Sequence, residues 1–290
     1  MQQPPFDDRD GTIWYNGKML PWRDAKVHVL NHGLHYASCV FEGERVYNSK
    51  VFKLTEHTER LHNSANLLGF KIPYTVEQLD RITMEVVEKN GIENGYVRPF
   101  AWRGSEMMAV SAQKTTIHVA IAAWSWPSYF SSEAKERGLK LQISKWARPA
   151  PNTAPTASKA AGLYMICTLS KHAAEQDGYE DALMLDWRGF IAEATGANMF
   201  LVMNGEIHTP TPDCFLNGIT RLTVIELAKA RGFKVIERHI KPEELAKTQE
   251  VFICGTAAEV TPIGSIEKYT FTVGPVTKQL MKDYGELVRK

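Results

Sequence analysis

No uninterrupted apolar run in this chain approaches the roughly eighteen residues of a membrane span, so no membrane-crossing helix is expected. An excess of either charge is missing too. The 34 basic residues face 33 acidic ones for a net charge of +1, and no block of like charge stands out. That argues against a nucleic-acid or anionic-membrane partner while leaving room for a small anionic ligand at one local site. Cysteine is scarce. The four, Cys39, Cys167, Cys214 and Cys254, stand far apart, with neither a C-x-x-C pair nor a zinc spacing. Reduced thiols in a cytoplasmic protein are expected. The opening MQQPPFDDRD lacks the basic and apolar regions of a secretory signal, so none is expected. His28, His32 and His35 lie close in sequence, but no acid sits between them as in H-E-x-x-H, and no metal site is expected. Neither G-x-x-x-x-G-K-[ST] nor G-x-G-x-x-G occurs, which removes the usual support for nucleotide binding.

What is present reads as a globular protein. Of 290 residues, 44% are hydrophobic and 23% charged, enough for one large domain or two modest ones. TIWYNGKMLP predicts a hairpin about Asn16-Gly17, because both central residues of a type I′ turn need positive φ. Strand is expected through Cys39–Leu54, with a turn near Asn48. A helix is expected over Thr55–Leu68, with Thr55 and Thr58 as candidate N-caps and Gly69 as terminator. A second runs Val76–Lys89, and YVRPFAWRG and TIHVAIAAW follow as strands. Residues 1–125 thus read as an α+β domain, 126–137 as an interdomain linker, and 138–290 as a second domain. In the latter, LKLQISKW, EDALMLDW, NMFLVMNGEIHTP, FKVIERHI and EVFICGTAAEVTPI suggest strands. Helices are expected at Ala160–Gln176, Gly218–Arg231 and the C-terminus.

One side chain stands out. In PNTAPTASKAAGLY, Lys159 has no charged residue within six positions before it or eleven after it. A desolvated ammonium loses proton affinity, and the neutral amine attacks carbonyls. Small neighbours leave room for a flat ring. A lysine whose stem packs on alanines while its head reaches water has the same local composition. Other candidates lie far off in sequence. Glu193 is an acid among small residues in FIAEATGANMF. Tyr164 follows Lys159 by five positions. NGITR opens a helix whose Ile219 and Thr220 N–H groups suit a phosphate. Arg60 in TERLH offers a cation.

VFEGERVY, TERLHNSA, YVRPF, APTASKAAGLY, IAEATGANMF, LNGITR and VFICGTAAEVTPI occur in that order. Together they resemble the signature stretches of the branched-chain aminotransferases, class IV pyridoxal-phosphate enzymes, from about Ile13 to the C-terminal helix. The resemblance implies fold type IV, the two-domain fold of D-amino acid aminotransferase. A small N-terminal α/β domain then precedes a larger one with a β-barrel-like core. It implies transfer of the amino group of L-leucine, isoleucine or valine to 2-oxoglutarate by ping-pong kinetics, in a homodimer or a higher oligomer built from dimers. By the same resemblance, Lys159 holds pyridoxal 5'-phosphate covalently and moves the proton. Glu193 pairs with the pyridine nitrogen and Tyr164 with the phenolic oxygen. Arg60, the amides of Ile219 and Thr220, and Thr256 hold the phosphate. Substrate lies against Tyr36, Phe41, Gly43, Tyr96, Arg98, Thr256, Ala257 and Ala258, with Tyr36 reaching across a dimer interface. A D-amino-acid aminotransferase or an aminodeoxychorismate lyase on the same fold are the alternatives. Two stretches depart from the family pattern. Glu44 follows FEG where an apolar residue is usual, which suggests a carboxylate near the pocket entrance, paired with Arg45 or opposing acidic substrates. The loop GSEMMAVSAQ, with Met107, Met108 and Ala109, is bulkier than the usual glycine-rich version and suggests an altered side-chain range.

Overall fold

The computed structural model describes residues 4–126 and 129–290. The chain divides into two compact units, one of residues 1–127 with 158–162, the other of residues 128–157 with 163–290.

The first unit opens with the expected hairpin, β1 (Thr12–Tyr15) and β2 (Lys18–Pro21), turning through Asn16 at φ 48° and Gly17 at φ 92°. A short helix α1 (His32–Tyr36) leads to β3 (Cys39–Phe41), β4 (Glu44–Tyr47) and β5 (Lys50–Val51). Helices α2 (Leu54–Leu67) and α3 (Val76–Lys89) precede the long strands β6 (Gly95–Arg103) and β7 (Ile117–Ser125). The strands form one sheet in the order β2-β1-β7-β6-β4-β5, with β3 also on β6. Val46, Val97 and Ala101 join Leu61, Leu79 and Val86 of the two helices in a buried core. Side chains alternate along a strand, so Tyr96 and Arg98 are turned to the opposite face of β6. That alternation positions the chemistry described below.

The start of α2 differs from expectation. Lys53, in the left-handed region, precedes it, and no side chain caps it. Thr55 and Thr58 instead donate their hydroxyls to Asp80 of α3, at 2.6 and 2.5 Å. They tie two helices together rather than starting one. Thr75 does cap α3, in a reciprocal capping box with Gln78.

In the second unit come α4 (Ser132–Arg137), β8 (Leu139–Ile143), α5 (Met165–Gln176), β9 (Asp181–Leu185), β10 (Ile191–Ala194), β11 (Asn198–Met203) and β12 (Glu206–Pro210). Then follow α6 (Ile219–Ala230), β13 (Val235–Arg238), β14 (Glu250–Gly255), β15 (Glu259–Ile266), β16 (Tyr269–Thr270) and α7 (Pro275–Leu287). The path β10-β9-β8-β15-β14-β11 closes on itself through a β10–β11 pair, making a six-stranded barrel. Leu141, Leu183, Met199, Leu201, Ile253 and Ile263 belong to its buried cluster. The α+β class and barrel-like core match the sequence reading.

Three local details do not. Ser132–Arg137 lies in the stretch expected as linker, yet it is a helix capped by Ser131, with Ala134 in the second core. Six residues are too few for periodicity to reveal. Pro127 and Ser128 of that linker lie outside the described residues. Strand β10 escapes pattern reading because Glu193 interrupts its apolar run. The helix expected from Ala160 begins as a 3-10 turn over Ala161–Tyr164. The chain just before it is held elsewhere. Phe41 N–H donates to Lys159 O at 3.2 Å, Ala160 bridges Val40, and the Ser158 hydroxyl donates to Ser64 O at 3.0 Å. Ser158–Gly162 therefore belongs to the first unit. Among the described residues no helix is long and apolar enough to cross a membrane.

Candidate active site

Lys159 is seated on the first unit's sheet. Its backbone N–H donates to Ser64 Oγ at 2.9 Å, and its Nζ lies 4.9 Å from the centre of the Phe41 ring. Burial pushes its amine down from 10.5 to about 8, Arg60 and Arg98 push the same way, and Glu42 and Tyr96 oppose them. The Lys159 side chain is half-buried, and that desolvation is the largest cause of its lowered proton affinity. Around the lysine, the Arg98 guanidinium stacks 4.7 Å over Phe41 and donates to the Tyr96 hydroxyl at 3.4 Å. Gly43 is required here, because a Cβ on it would lie 1.8 Å from that hydroxyl oxygen. Lys159, Phe41, Gly43, Tyr96, Arg98 and Arg60 thus gather in one unit, from β3, the turn after it, α2 and β6. Tyr36, at the end of α1, is 44% exposed and stacks on His32 at 4.6 Å.

Arg60 is not a bare cation. Its Nε and Nη2 donate to the two oxygens of Glu42 at 2.7 and 2.8 Å. His57 Nδ1 meets the same carboxylate at 2.7 Å. Burial alone would raise the Glu42 carboxyl, but Arg60 and His57 outweigh it and hold it well below the usual carboxylate range. Burial first, with Arg60 and Lys159, pushes His57 down against the pull of Glu42, so the ring is neutral near pH 7 and donates its Nδ1–H. Neither Glu42 nor His57 was picked out from the sequence. The acid in FEG was the available signal.

Glu193 belongs to the second unit, on β10. Its carboxylate takes Nδ2–H of Asn198 at 3.2 Å and lies 3.4 Å from Nε of the buried Arg148. Arg148 also feels the Tyr164 hydroxyl. Asn198 links this acid to the start of α6. A Cβ on Gly218 would come within 2.2 Å of Asn198 Oδ1. No side chain caps α6, whose first residues are Ile219 and Thr220. Gly255 pairs with Glu259, leaving Thr256, Ala257 and Ala258 as the turn between β14 and β15. Gly255 lies against Gly196 and Ala197, next to Asn198. Asn198 and Arg148 were missed in the sequence, where their roles depend on pairing across distant strands.

Glu44 corrects an expectation. It is fully buried, on the face of β4 shared with Val46, and neither oxygen has a hydrogen-bond partner among the described residues. It is not at a pocket entrance and does not pair with Arg45. Burial, Glu42 and Asp80 raise its proton affinity well above the ordinary carboxyl value, so it is a neutral acid in the core. One cluster has ligand-like spacing, Asp186, Asp213 and Cys214 within 4.8 Å of one another. Arg188 already bridges its two carboxylates, and burial lifts the Cys214 thiol to about 12.

The sequence profile of amino-transferase class IV matches residues 39–266. The chain is a class IV aminotransferase. It is 42% identical to the branched-chain-amino-acid aminotransferase of Pseudomonas aeruginosa, over 97% of this chain and 94% of that one. It is 40% identical to the Escherichia coli K12 enzyme of the same name, over 94% and 91%. A solved T.th. branched-chain amino acid aminotransferase with pyridoxamine 5'-phosphate superposes with a TM-score of 0.94 at 39% identity, covering 97% of this chain and 96% of that one. The Thermoproteus uzoniensis branched-chain aminotransferase with norvaline gives 0.92 at 35%, covering 97% and 95%. The family and fold type IV read from the aminotransferase's motifs are therefore borne out. The D-amino-acid and lyase alternatives are not favoured.

Proposed function

We propose that this aminotransferase moves the amino group of L-leucine, isoleucine or valine to 2-oxoglutarate with pyridoxal 5'-phosphate as cofactor. Its relatives' names point to the branched-chain substrates. The observation that carries the chemistry is the half-buried, desolvated Lys159 amine, lowered to about 8 and so within reach of its neutral form near physiological pH. The donor set fits the cofactor: an amine for its aldehyde, a buried acid for its ring, and an uncapped helix start for its phosphate. When bound, pyridoxal phosphate supplies an electron-withdrawing ring that stabilises negative charge at the substrate α-carbon.

This chain's side chains do the rest. Lys159 would hold the cofactor's aldehyde carbon, and its neutral amine would take and return the substrate α-proton. Glu193, oriented by Asn198 and Arg148, would keep the ring nitrogen protonated. Tyr164 would donate to the phenolic oxygen. Arg60, the N–H groups of Ile219 and Thr220, and Thr256 would hold the phosphate. Arg98, Tyr96 and the Thr256–Ala257 turn receive the substrate carboxylate. Phe41, Gly43, Ala258 and the partner's copy of Tyr36 line its side chain. Arg98 serves the distal carboxylate of the second substrate, and the loop 104–113 trims the side-chain range. We place the enzyme in the cytoplasm, in keeping with its four free cysteines, and assign it a homodimer on the family resemblance.

Borohydride reduction of the cofactor-loaded protein and peptide mapping test the reading. A pyridoxyl tag on Lys159 is expected, and a tag elsewhere ends it. A donor panel with 2-oxoglutarate tests the substrate. Rates should be highest for leucine, isoleucine and valine, and a preference for D-alanine would refute that part.

A further inference from the structure

Resting on that reading, we propose that Glu42 is a positioning residue of the site. It fixes the edge that Arg60 presents to an anion and balances the charge around Lys159. The side chain is completely buried just after β3, a place where a carboxylate is costly unless it is paired and hydrogen-bonded. Both its oxygens are engaged. One takes Arg60 Nε–H, and the other takes Arg60 Nη2–H and His57 Nδ1–H. A two-point pair of this kind leaves a planar guanidinium no rotation, so its remaining N–H donors point in one set direction. His57 is the clamp behind the carboxylate. Its neutral ring adds a hydrogen bond and no charge, so one anion faces one cation in the cluster.

The second effect is electrostatic. The charged or titratable groups acting most on the Lys159 amine are Arg60, Glu42, Tyr96 and Arg98. Glu42 and Arg60 act on it with opposite sign. Glu44 beside them stays neutral, so it does not disturb that balance. Without the Glu42 charge, two guanidiniums would oppose the ammonium with no carboxylate against them. The lysine would then lose its proton at lower pH.

The variants E42Q and E42D separate these effects from a packing role. The first readout is the pH midpoint for covalent capture of pyridoxal, which has no phosphate, by the apoprotein. The capture joins Nζ to the aldehyde carbon with loss of water, so it follows the neutral fraction of Lys159. The second is the affinity ratio of pyridoxal 5'-phosphate to pyridoxal. In E42Q the midpoint should fall by about one pH unit. The ratio should fall about tenfold as Arg60 loses its orientation. E42D restores the charge but, one methylene shorter, cannot span the guanidinium. It should recover the midpoint and not the ratio. If E42Q does not fold, E42D alone decides through the ratio. A folded variant with lowered melting temperature but wild-type midpoint and ratio would overturn the proposal. Failure of the wild-type protein to capture pyridoxal at Lys159 would instead bring down the functional reading itself.

Discussion

Burying an amine that must lose its proton has a stability signature of its own. The unfolded chain binds the Lys159 proton up to about 10.5 and the folded apoprotein only up to about 8. Stability from this group is therefore complete above 10.5 and is lost as pH falls through 8. That gap corresponds to about 3 kcal/mol. Lys159→Met should abolish transamination and flatten the pH dependence of apoprotein unfolding between pH 8 and 10.5, measured by urea titration. Glu44 has the opposite sign. Its folded-state proton affinity is raised, so its contribution is intact below about 4.5 and is lost as pH rises. Glu44→Leu, closer to the apolar residue usual there, should stabilise the neutral protein by about 1–3 kcal/mol and leave the substrate preference unchanged. A shift in preference toward acidic substrates would mean that the carboxyl reaches the pocket after all.

The elements carry the site through close approaches that only glycine allows. Gly218 precedes α6 with no side chain between it and Asn198. Gly218→Ala should push Asn198 off Glu193. Cofactor affinity should weaken at least about tenfold while the helix itself persists, seen as retained far-ultraviolet dichroism beside a raised cofactor dissociation constant. Most elements were legible in the sequence because their signals are local: Asn16-Gly17 and Asn204-Gly205 turns, the glycines ending α2, α3 and α6, and period-2 alternation in β6 and β7. The misses have physical causes too. Thr55 and Thr58 have capping chemistry, but Asp80, far along the chain, competes for their hydroxyls. Helix α4 is too short to show a period.

At the scale of the molecule, the first unit exposes Val29, Leu34 and Val110 at 70%, 69% and 85%. Large apolar side chains so uncovered suit the face of an obligate oligomer. The wild-type protein should sediment as a dimer, and Leu34→Glu with Val110→Glu should shift it toward monomer. A wild-type monomer at micromolar concentration would refute the proposed assembly. Each unit has its own buried core, yet the lysine segment 158–162 belongs to the unit from which the chain has already departed.

The reagent types, their order and the family were readable from the linear chain, because the motifs are contiguous and because turn glycines and strand alternation act over a few residues. Which charges survive burial was decided by the fold. Glu42 and Glu44 stand two positions apart in the same motif, yet one is an anion clamped between Arg60 and His57 and the other a neutral acid without a partner among the described residues. The ionisation of a buried carboxyl depends on which side chains lie within a few ångströms, and those neighbours come from α2 and α3, distant in sequence and brought close only by packing.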